Sequence, residues 1–320
     1  MTEPAAEPPK TVAAPSPPRA SMDAEGLLSF FEKVGFRGHR SASAHWYVAG
    51  PRFLMSLPSH SEVSVDKAEL ADIFRKTRVA GIRYISAPGE GGRASYQIVA
   101  SGSEYSLAKL SGNTRSKTRR GLKRNEIRPV TGAEVAEHGH KAVTQTLERQ
   151  GRSSDEAVAA WRRLLAAADA EPAAEIWGAW HEGELAAYLL MLHIDDVCEF
   201  YQARSRNDLL QHYPNNALIH TLTEEILVKR AVREITFGIE SAEDVSALDK
   251  FKFSMGYTRK LIHQKVVFHP ALRPALALAP LRAAIHRRAV GPDASVVWRK
   301  ASGLIRFAGY DPLPAEAEDS

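Results

Sequence analysis

The spacing of apolar positions predicts alternating helices and strands in the first half of the chain. DAEGLLSFFEKVGF predicts an amphipathic helix, SAHWYVAG and PRFLMSLPS predict two strands around Gly50-Pro51, and KAELADIFRKTRVAG predicts a helix that ends at Gly81. IRYISAP predicts the next strand, and ASYQIVASG with EYSLAKLSG predicts a pair of strands. A helical region then covers about 132–170 and contains DEAVAAWRRLLAAADA.

The second half has the clearer pattern. AEIWGAWHEGELAAYLLMLHIDDVCEFYQARS predicts three strands joined by turns at Glu182-Gly183 and Asp195-Asp196. The middle strand, 185–194, is almost wholly apolar, which is typical of a strand covered on both faces. NNALIHTLTEEILVKRAV predicts a helix, REITFGI a strand, SALDKFKFSMG a helix and KLIHQKVVF a closing strand. This order combines hairpins with helical crossovers, so we expect a mixed α/β or α+β fold.

These elements divide the chain into four segments. Residues 1–22 are rich in Pro and Ala and predict a disordered tail. The first half then covers 23–170 and the second half covers 171–269. In 270–320, LRAAIHRRAV and WRKASGLIRFAG predict two basic helices that precede an acidic tail.

Positive charge is concentrated in one stretch, KLSGNTRSKTRRGLKRNEIR at 109–128. It contains eight Lys or Arg residues and one acid, a net charge of +7, whereas the whole chain carries +4. A local excess indicates an anion-binding site, while a diffuse excess would indicate general binding to polyanions. The stretch therefore draws attention to one place on the molecule.

As a helix over 111–125, the basic stretch separates into faces. A narrow face of mostly small residues, suited to close packing, contains Leu110, Thr114, Thr118, Leu122 and Asn125, with Gly121 beside them. Two ridges of cations lie next to it, one formed by Arg115, Arg119 and Lys123 and the other by Arg120 and Arg124. Several guanidinium groups aimed at one volume favour a phosphate-bearing ligand.

Composition excludes several classes of protein. The single cysteine, Cys198, excludes an internal disulfide and a cysteine zinc cluster, and its apolar surroundings predict a buried structural thiol. His138 and His140 have no partners at metal-ligand spacing, so we expect no metal site. No run approaches the roughly 18 apolar residues of a membrane span. The N-terminus lacks a signal-peptide pattern, so we expect a cytoplasmic protein.

Three motifs carry a resemblance to a known family. LSGNTRSKTRRGLKR comes first, YPNNALIHTLTEEILVKRAVREITFGIE follows as a helix and a strand that end in a Phe-Gly turn, and LDKFKFSMGY closes the series. In this order and spacing, the chain from about 26 to 268 resembles the GNAT superfamily of acyltransferases. Within that superfamily it is most similar to the Fem-type branch, which includes the peptidoglycan aminoacyltransferases.

The resemblance implies a fold and a reaction. The fold is a tandem of GNAT-like mixed β-sheets flanked by helices, with a degenerate N-terminal half. The reaction is transfer of an acetyl, acyl or aminoacyl group to an amine, with a sugar or a cell-envelope precursor among the candidate acceptors. The amine attacks directly, and the resemblance implies neither a metal nor a covalent enzyme intermediate.

One departure from the GNAT pattern concerns the donor. Ordinary GNAT enzymes hold the pyrophosphate of CoA with a glycine-rich loop between a strand and a helix, through backbone N–H groups. The corresponding loop here, QARSRNDLLQHYPNNA, has no glycine. Fem-type proteins that use aminoacyl-tRNA also lack the glycine loop. Acyl-CoA and aminoacyl-tRNA therefore both stay open as donor substrates.

Acyl transfer to an amine needs a group that accepts the ammonium proton and donors that hold the oxyanion. Alternation in VCEFYQAR places Glu199 and Tyr201 on one face of a strand and Cys198, Phe200 and Gln202 on the other. We therefore interpret Glu199 as a candidate base and Tyr201 as a proton donor or substrate anchor. The alternative is a cross-strand ion pair beside a packing tyrosine.

A second acid is a candidate for the same role. Glu240 directly follows the strand REITFGI, where α/β folds collect ligand contacts at strand ends. The alternative is an ordinary acid in a surface loop. Both interpretations are open at the level of sequence.

The candidate contacts to a phosphate-bearing substrate are Arg115, Arg119, Arg120, Asn215, Asn216 and Lys252. The two asparagines follow Pro214 at the start of a helix, where they either cap free N–H groups or help to aim that helix end at a carbonyl or phosphate. Lys250 and Lys252 diverge on a helix, and the family resemblance favours Lys252 as the anion contact.

Other classes of function stay open. A non-enzymatic nucleic-acid-binding protein would use the basic stretch 109–128 against a phosphate backbone. A pseudoenzyme would keep the fold without the chemistry. The two basic segments after Pro270 also fit a weak peripheral membrane contact. For an enzyme, nucleic acid is a partner only if aminoacyl-tRNA is the donor.

Overall fold

The computed structural model describes residues 20–50, 52–151, 153–242, 246–291 and 294–310. Most of the predicted N-terminal tail and the predicted acidic tail, 311–320, lie outside these ranges. Met22 corrects the tail boundary of 1–22. It is buried, and its amide donates a 3.0 Å hydrogen bond to the carbonyl of His193. Among the described residues, Met22 is the first whose backbone pairs with the second half, through a parallel bridge to Ile194.

Twelve strands lie within the described ranges. They are β1 (Gly38–Arg40), β2 (His45–Val48), β3 (Phe53–Leu57), β4 (Glu62–Val63), β5 (Gly81–Ser86), β6 (Arg93–Ser101), β7 (Glu126–Pro129), β8 (Ala174–His181), β9 (Glu184–Ile194), β10 (Val197–Ser205), β11 (Glu234–Ile239) and β12 (Thr258–Phe268). The three strands predicted for 175–205 and the closing strand are all present.

Eleven α-helices lie within the same ranges. They are α1 (Ala24–Val34), α2 (Lys67–Thr77), α3 (Gly112–Arg124), α4 (Gly132–His138), α5 (His140–Arg149), α6 (Asp155–Asp169), α7 (Pro214–Thr223), α8 (Ser246–Ser254), α9 (Arg273–Ala277), α10 (Ala279–Val290) and α11 (Val296–Phe307). None of these described helices is long and apolar enough to cross a membrane.

All strands belong to one mixed sheet. Its order is β1-β2-β3-β5-β12-β6-β11-β10-β9-β8-β7, and β4 also pairs with β5. The pairs β3–β5, β4–β5 and β10–β11 are parallel, and the other neighbours are antiparallel. The closing strand β12 lies between β5 and β6, so the second half contributes a strand to the sheet of the first. The mixed α/β fold class expected from the sequence is confirmed.

The helical region expected over about 132–170 is present as the three helices α4, α5 and α6. Two other expectations for the first half are wrong. EYSLAKLSG forms no strand but a 3₁₀ turn at Leu107–Lys109, because Tyr105 anchors it to the second half with a 3.1 Å hydrogen bond to the carbonyl of Met255. Helix α2 ends at Thr77 rather than at Gly81, since Arg78 adopts the left-handed conformation that terminates helices.

Strand β9 lies at the centre of the hydrophobic core. Its side chains alternate between two clusters: Tyr188 and Leu190 pack with α1 and α6, whereas Leu189 and Met191 pack with α7 on the other face. All four are fully buried. This two-sided burial is the reason why the strand is apolar along its length, as the sequence predicted.

The basic helix α3 packs against α7 through its small residues. Thr114, Thr118 and Gly121 are buried there, and a Cβ on Gly121 would lie only 2.5 Å from the carbonyl oxygen of Tyr213. Leu122, which the sequence placed on this packing face, is instead 38% exposed. The close approach requires glycine, and it brings the basic helix beside the start of α7.

A fully paired carboxylate lies in the second half. Glu175 on β8 is 4% exposed and accepts hydrogen bonds from Arg230 (2.6 Å), His193 (2.7 Å) and the indole N–H of Trp177 (3.2 Å). Arg230 also donates to Glu225 at 3.1 Å. This network fastens the segment after α7 to the sheet.

Candidate active site

The two parallel strands β10 and β11 diverge in the middle of the sheet. They are paired only where Val197–Glu199 faces Glu234–Thr236, although β10 continues to Ser205 and β11 to Ile239. A register shift in β10 between Glu199 and Gln202 occurs at the same level. Strands that separate in this way leave backbone N–H groups without ladder partners, and such groups can hold an oxyanion.

A cavity of about 420 Å³ opens where the strands part. Its lining combines residues of β2, β3 and β5 of the first half with Glu199 of β10, the end of β11 and helix α11. The polar side chains in the lining are Tyr47, Ser59, Arg83, Glu199, Ser241 and Lys300, and the larger apolar ones are Phe53, Met55, Phe237 and Leu304. A mostly apolar concave site with a few polar groups is the usual form of a small-molecule site.

Glu199 is the acidic side chain of this lining. It is half-buried, and its Oε2 accepts a 3.1 Å hydrogen bond from the hydroxyl of Ser59. Among the described residues it has no other hydrogen-bond partner and no ion pair. Removal from water raises the pKa of Glu199 to about 7, although the Ser59 hydrogen bond opposes the rise. A carboxyl group in this state can accept a proton at neutral pH.

Ser59 is itself held in place from the sheet. The side-chain amide of Gln97, on β6, donates a 3.3 Å hydrogen bond to the carbonyl of Ser59. Gln97 is completely buried. The hydroxyl that contacts Glu199 is therefore fixed by a residue of the central sheet.

Tyr201 lies on the Glu199 side of β10, within an aromatic group. Its ring meets the edge of Phe31 at 5.5 Å, and Tyr47 stacks on the same Phe31 at 4.6 Å. Burial raises the pKa of Tyr201 well above its usual value, so its hydroxyl stays protonated at neutral pH. The structure thus places a neutral phenol near the candidate base.

Gln202 departs from the predicted alternation. The sequence placed it on the face of Cys198 and Phe200, but its side chain accepts a 3.2 Å hydrogen bond from Tyr188 on the opposite face. The register shift in β10 adds an irregular step that reverses the alternation. The buried Cys198 lies where the pattern predicted it.

Glu240 lies beside the cavity rather than in its lining. Its carboxylate accepts a 2.6 Å hydrogen bond from Ser95, and its carbonyl accepts one from Arg83. Its amide donates to the carbonyl of Tyr96 at 2.8 Å. Of the two candidate bases, only Glu199 therefore faces the cavity.

The two asparagines do not cap α7, which corrects one interpretation of the sequence. The cap residue is Tyr213, whose φ of 56° is left-handed, and no side chain caps the helix. Asn215 instead donates to Ser205 at 3.1 Å, and Asn216 is buried against the sulfur of Met255 at 3.3 Å. Because Tyr213 and Pro214 begin the helix, both asparagines lie inside its first turn.

The other predicted anion contacts lie in two places. Arg115 donates to the carbonyl of Ala108 at 3.1 Å, Arg119 is exposed, and Arg120 stacks on the ring of Tyr213 at 4.7 Å. All three are on α3, and Arg120 lies beside Tyr213, the residue that precedes α7. Lys252 lies apart from them, where it pairs with Asp249 at 3.1 Å and covers the ring of Phe237 at 5.2 Å.

Of the six polar residues in the cavity lining, the sequence analysis named only Glu199 and missed the other five, three of which illustrate the reason. Ser59 follows β3, Arg83 is inside β5, and Lys300 is on α11, so they come from three distant segments. One signal was present for Arg83, a charged residue within the apolar strand IRYISAP. In the described ranges, no group of three or more His, Cys, Asp or Glu side chains is arranged to hold a metal ion.

The middle of the chain matches a known family model. Residues 108–252 match the family model described as an acetyltransferase (GNAT) domain. A search of curated proteins finds no match to this sequence.

Solved structures share the fold at low sequence identity. FemX aligns with 12% identity and a TM-score of 0.53, over 78% of this chain and 92% of that chain. A conserved protein of unknown function from Bacteroides thetaiotaomicron VPI-5482 aligns with 11% identity and a TM-score of 0.50, over 78% and 92% of the two chains. L-PGS from Bacillus licheniformis aligns with 12% identity and a TM-score of 0.49, over 82% of this chain and 92% of that chain. As the resemblance of the sequence motifs implied, residues 108–252 thus match a GNAT domain model, and the chain shares its fold with FemX.

Proposed function

We propose that the protein is an N-acyltransferase in which Glu199 is the general base. The observation that supports this best is a half-buried carboxyl with a pKa of about 7 on the wall of a cavity where two parallel strands part. The GNAT-type family supports the class of reaction. A residue that only packs the sheet would not need a carboxylate with one hydroxyl partner.

The reaction uses the groups around the cavity in sequence. Glu199 accepts a proton from the acceptor ammonium, and the freed nitrogen lone pair attacks the acyl carbon of the donor. The unpaired N–H groups of the diverging strands hold the oxyanion. Collapse breaks the bond to the thioester sulfur or the ribose oxygen, and that leaving group takes up the second proton, which the attacking nitrogen loses as the amide forms. We assign to Tyr201, which follows Glu199 on β10 but is not part of the cavity lining, the relay of that proton or the anchoring of the substrate.

The donor carries phosphate and binds on the basic side of the molecule. Arg119 and Arg120 lie on α3, which packs against α7, and Arg120 stacks on Tyr213, the residue that precedes α7. The N-terminus of a helix such as α7 favours an anion. Acyl-CoA and aminoacyl-tRNA both fit this arrangement. We further propose that the protein acts in the cytoplasm on an amine-bearing precursor, with the cell envelope as the expected pathway.

A ligand screen with variants tests the proposal. Thermal shift of the wild type with acetyl-CoA, longer acyl-CoA thioesters, charged tRNA and UDP-sugars should identify one class that stabilises the protein. The Arg119→Ala and Arg120→Ala variants should weaken that binding about tenfold each, since each removes a charge-assisted contact. Arg75→Ala is the matched control, because Arg75 is exposed on α2 and pairs with Asp72 there. Equal binding by all four proteins would contradict the donor site.

A further inference from the structure

Arg83 is a buried cation in the wall of the cavity that contains Glu199. It lies on β5, between β3 and β12, and is only 7% exposed. Arginine is rarely buried to this extent without an acid beside it, because taking an isolated charge out of water is costly. The reason for its burial is therefore a question that the fold alone does not answer.

Among the described residues Arg83 has no ion-pair partner, although the charge of the Glu240 carboxylate acts on it from a greater distance. Its Nε donates to the side-chain carbonyl of Gln264 at 2.7 Å, and one Nη donates to the backbone carbonyl of Glu240. Both partners are neutral groups. The guanidinium also stacks over the ring of Phe307 at 5.2 Å. No carboxylate of the described ranges lies within ion-pair distance of Arg83, and its second Nη has no hydrogen-bond partner there.

The supports of Arg83 form a second buried chain. Gln264 is completely buried and donates at 2.6 Å to the hydroxyl of Ser95, which in turn donates to the carboxylate of Glu240. These bonds fix the plane of Gln264 and, through it, the plane of the guanidinium. A fork with a fixed plane and an unused N–H edge is suited to a planar anion, and a carboxylate matches it best.

The remaining lining limits the ligand further. Lys300 on α11 adds a second positive side chain to the wall, and Phe53, Phe237 and Leu304 make much of the rest apolar. Glu199, which lines the same cavity, is suited to an ammonium group. The cavity of about 420 Å³ accommodates a small molecule rather than a polymer.

We propose that Arg83 binds the carboxylate of the acceptor, so that the acceptor is an amino acid or a short peptide with an apolar side chain. The amine faces Glu199, the carboxylate faces Arg83, and the side chain lies against Phe53, Phe237 and Leu304. The assignment of the amine as the acylated group rests on the proposed function. Binding of the carboxylate by Arg83 does not.

Matched ligands test this with binding alone. L-Phenylalanine, L-phenylalaninamide and 2-phenylethylamine differ in the group that would face Arg83, and 1-amino-2-phenylethylphosphonic acid replaces the carboxylate by a phosphonate. Isothermal titration at pH 7.5 should show L-phenylalanine binding about 10- to 100-fold more tightly than the amide or the amine, as expected for one charge-assisted contact. Equal binding of acid and amide would overturn the proposal. Tighter binding of the phosphonate than of L-phenylalanine would overturn it as well.

Variants locate the contact. Arg83→Gln should remove the preference for acid over amide, whereas Arg259→Gln, which alters an exposed arginine stacked on Tyr96 at 4.8 Å, should keep it. If Arg83→Gln does not fold, the wild-type ligand comparison still decides. If amines that lack an anionic group are acylated as fast as amino acids, the proposed acceptor is wrong and the proposed enzymatic function stands. If carboxylate binding depends on Arg83 but the protein transfers no acyl group from any donor, the proposed enzymatic function is wrong and the proposed carboxylate site stands.

Discussion

Glu175 and Glu199 are two carboxylates of the same half, and their surroundings differ. Glu175, on β8, accepts hydrogen bonds from Arg230, His193 and Trp177. These bonds and the nearby cation outweigh the opposing effect of burial and hold the pKa of Glu175 at about 2. Its charge is permanent at neutral pH, and it fastens two parts of the fold together.

Glu199, on β10, has one described partner, the hydroxyl of Ser59, and a cavity beside it. Burial raises the pKa of Glu199 to about 7. The comparison teaches that burial alone does not decide the role of an acid. A buried carboxylate that accepts several hydrogen bonds stays ionised and serves the structure. A buried carboxyl group with one hydrogen bond, beside an open cavity, can exchange a proton.

The largest effect should follow from replacing the exchangeable acid. Glu199→Gln keeps the shape of the side chain and removes the base, so kcat/KM for acyl transfer should fall about 10²- to 10⁴-fold. Steady-state kinetics with the donor found in the ligand screen measures this. Glu240→Gln is the control, since Glu240 lies outside the cavity lining, and it should retain far more activity. A Glu199→Gln variant with wild-type kinetics would remove the catalytic role.

The next effect concerns the structural acid. Arg230→Met removes the main cation beside Glu175 and leaves a buried charge, which should lower the free energy of unfolding by about 3–5 kcal/mol. Urea denaturation measures it. Arg233→Met is the matched control, because Arg233 forms an exposed pair with Asp196 and should cost at most about 1 kcal/mol. Equal losses in both variants would mean that the buried network contributes nothing special.

A smaller effect on stability should appear at low pH, where Glu175 becomes protonated. Because the pKa of Glu175 is lower in the folded state than its usual value of 4.5, its contribution to stability is complete above about pH 4.5 and is lost as the pH falls toward 2. Glu175→Gln should therefore be less stable than the wild type at pH 6, by about 2–3 kcal/mol. The deficit should shrink at pH 3. A deficit that is constant between these pH values would contradict the paired state of Glu175.

The smallest effect concerns the one partner of Glu199. The Ser59 hydroxyl favours the ionised carboxylate, so Ser59→Ala should raise the pKa of Glu199 and move the acid limb of the kcat/KM profile to higher pH. The plateau rate should change little. Ser64→Ala, which removes a hydroxyl bonded to the surface residue Glu90, should leave the profile in place. A profile that does not move in Ser59→Ala would show that another group is titrating.

Much of the fold was predictable because its signals are local. Strand β9 is apolar on both faces and its turns contain Glu182-Gly183 and Asp195-Asp196, so short-range pattern was sufficient. The insertion of β12 between β5 and β6 was not predictable, since strand pairing over long distances leaves no periodic signature. EYSLAKLSG has a strand-like composition, but Tyr105 is used to anchor a turn.

The candidate site likewise contains residues that the sequence predicted and residues that it did not. Alternation in VCEFYQAR pointed to Glu199 and Tyr201, and the charge count pointed to α3. Ser59 and Arg83 were missed because each reaches the cavity from a segment more than 100 residues before Glu199. The capping role given to Asn215 and Asn216 failed since a left-handed Tyr213 began the helix earlier.

The central claim is that Glu199 has a pKa of about 7 because it is buried with only one hydrogen-bond donor beside it. A raised pKa means that the folded state holds more protons than the unfolded state between about pH 4.5 and pH 7, so Glu199 lowers stability as the pH rises through that range. Urea unfolding of the wild type and Glu199→Gln at pH 5 and pH 8 measures this directly. We expect Glu199→Gln to be the more stable protein at pH 8, by about 1–3 kcal/mol, with most of the gain absent at pH 5. A difference that does not change with pH, or a loss of stability at pH 8, would contradict the account.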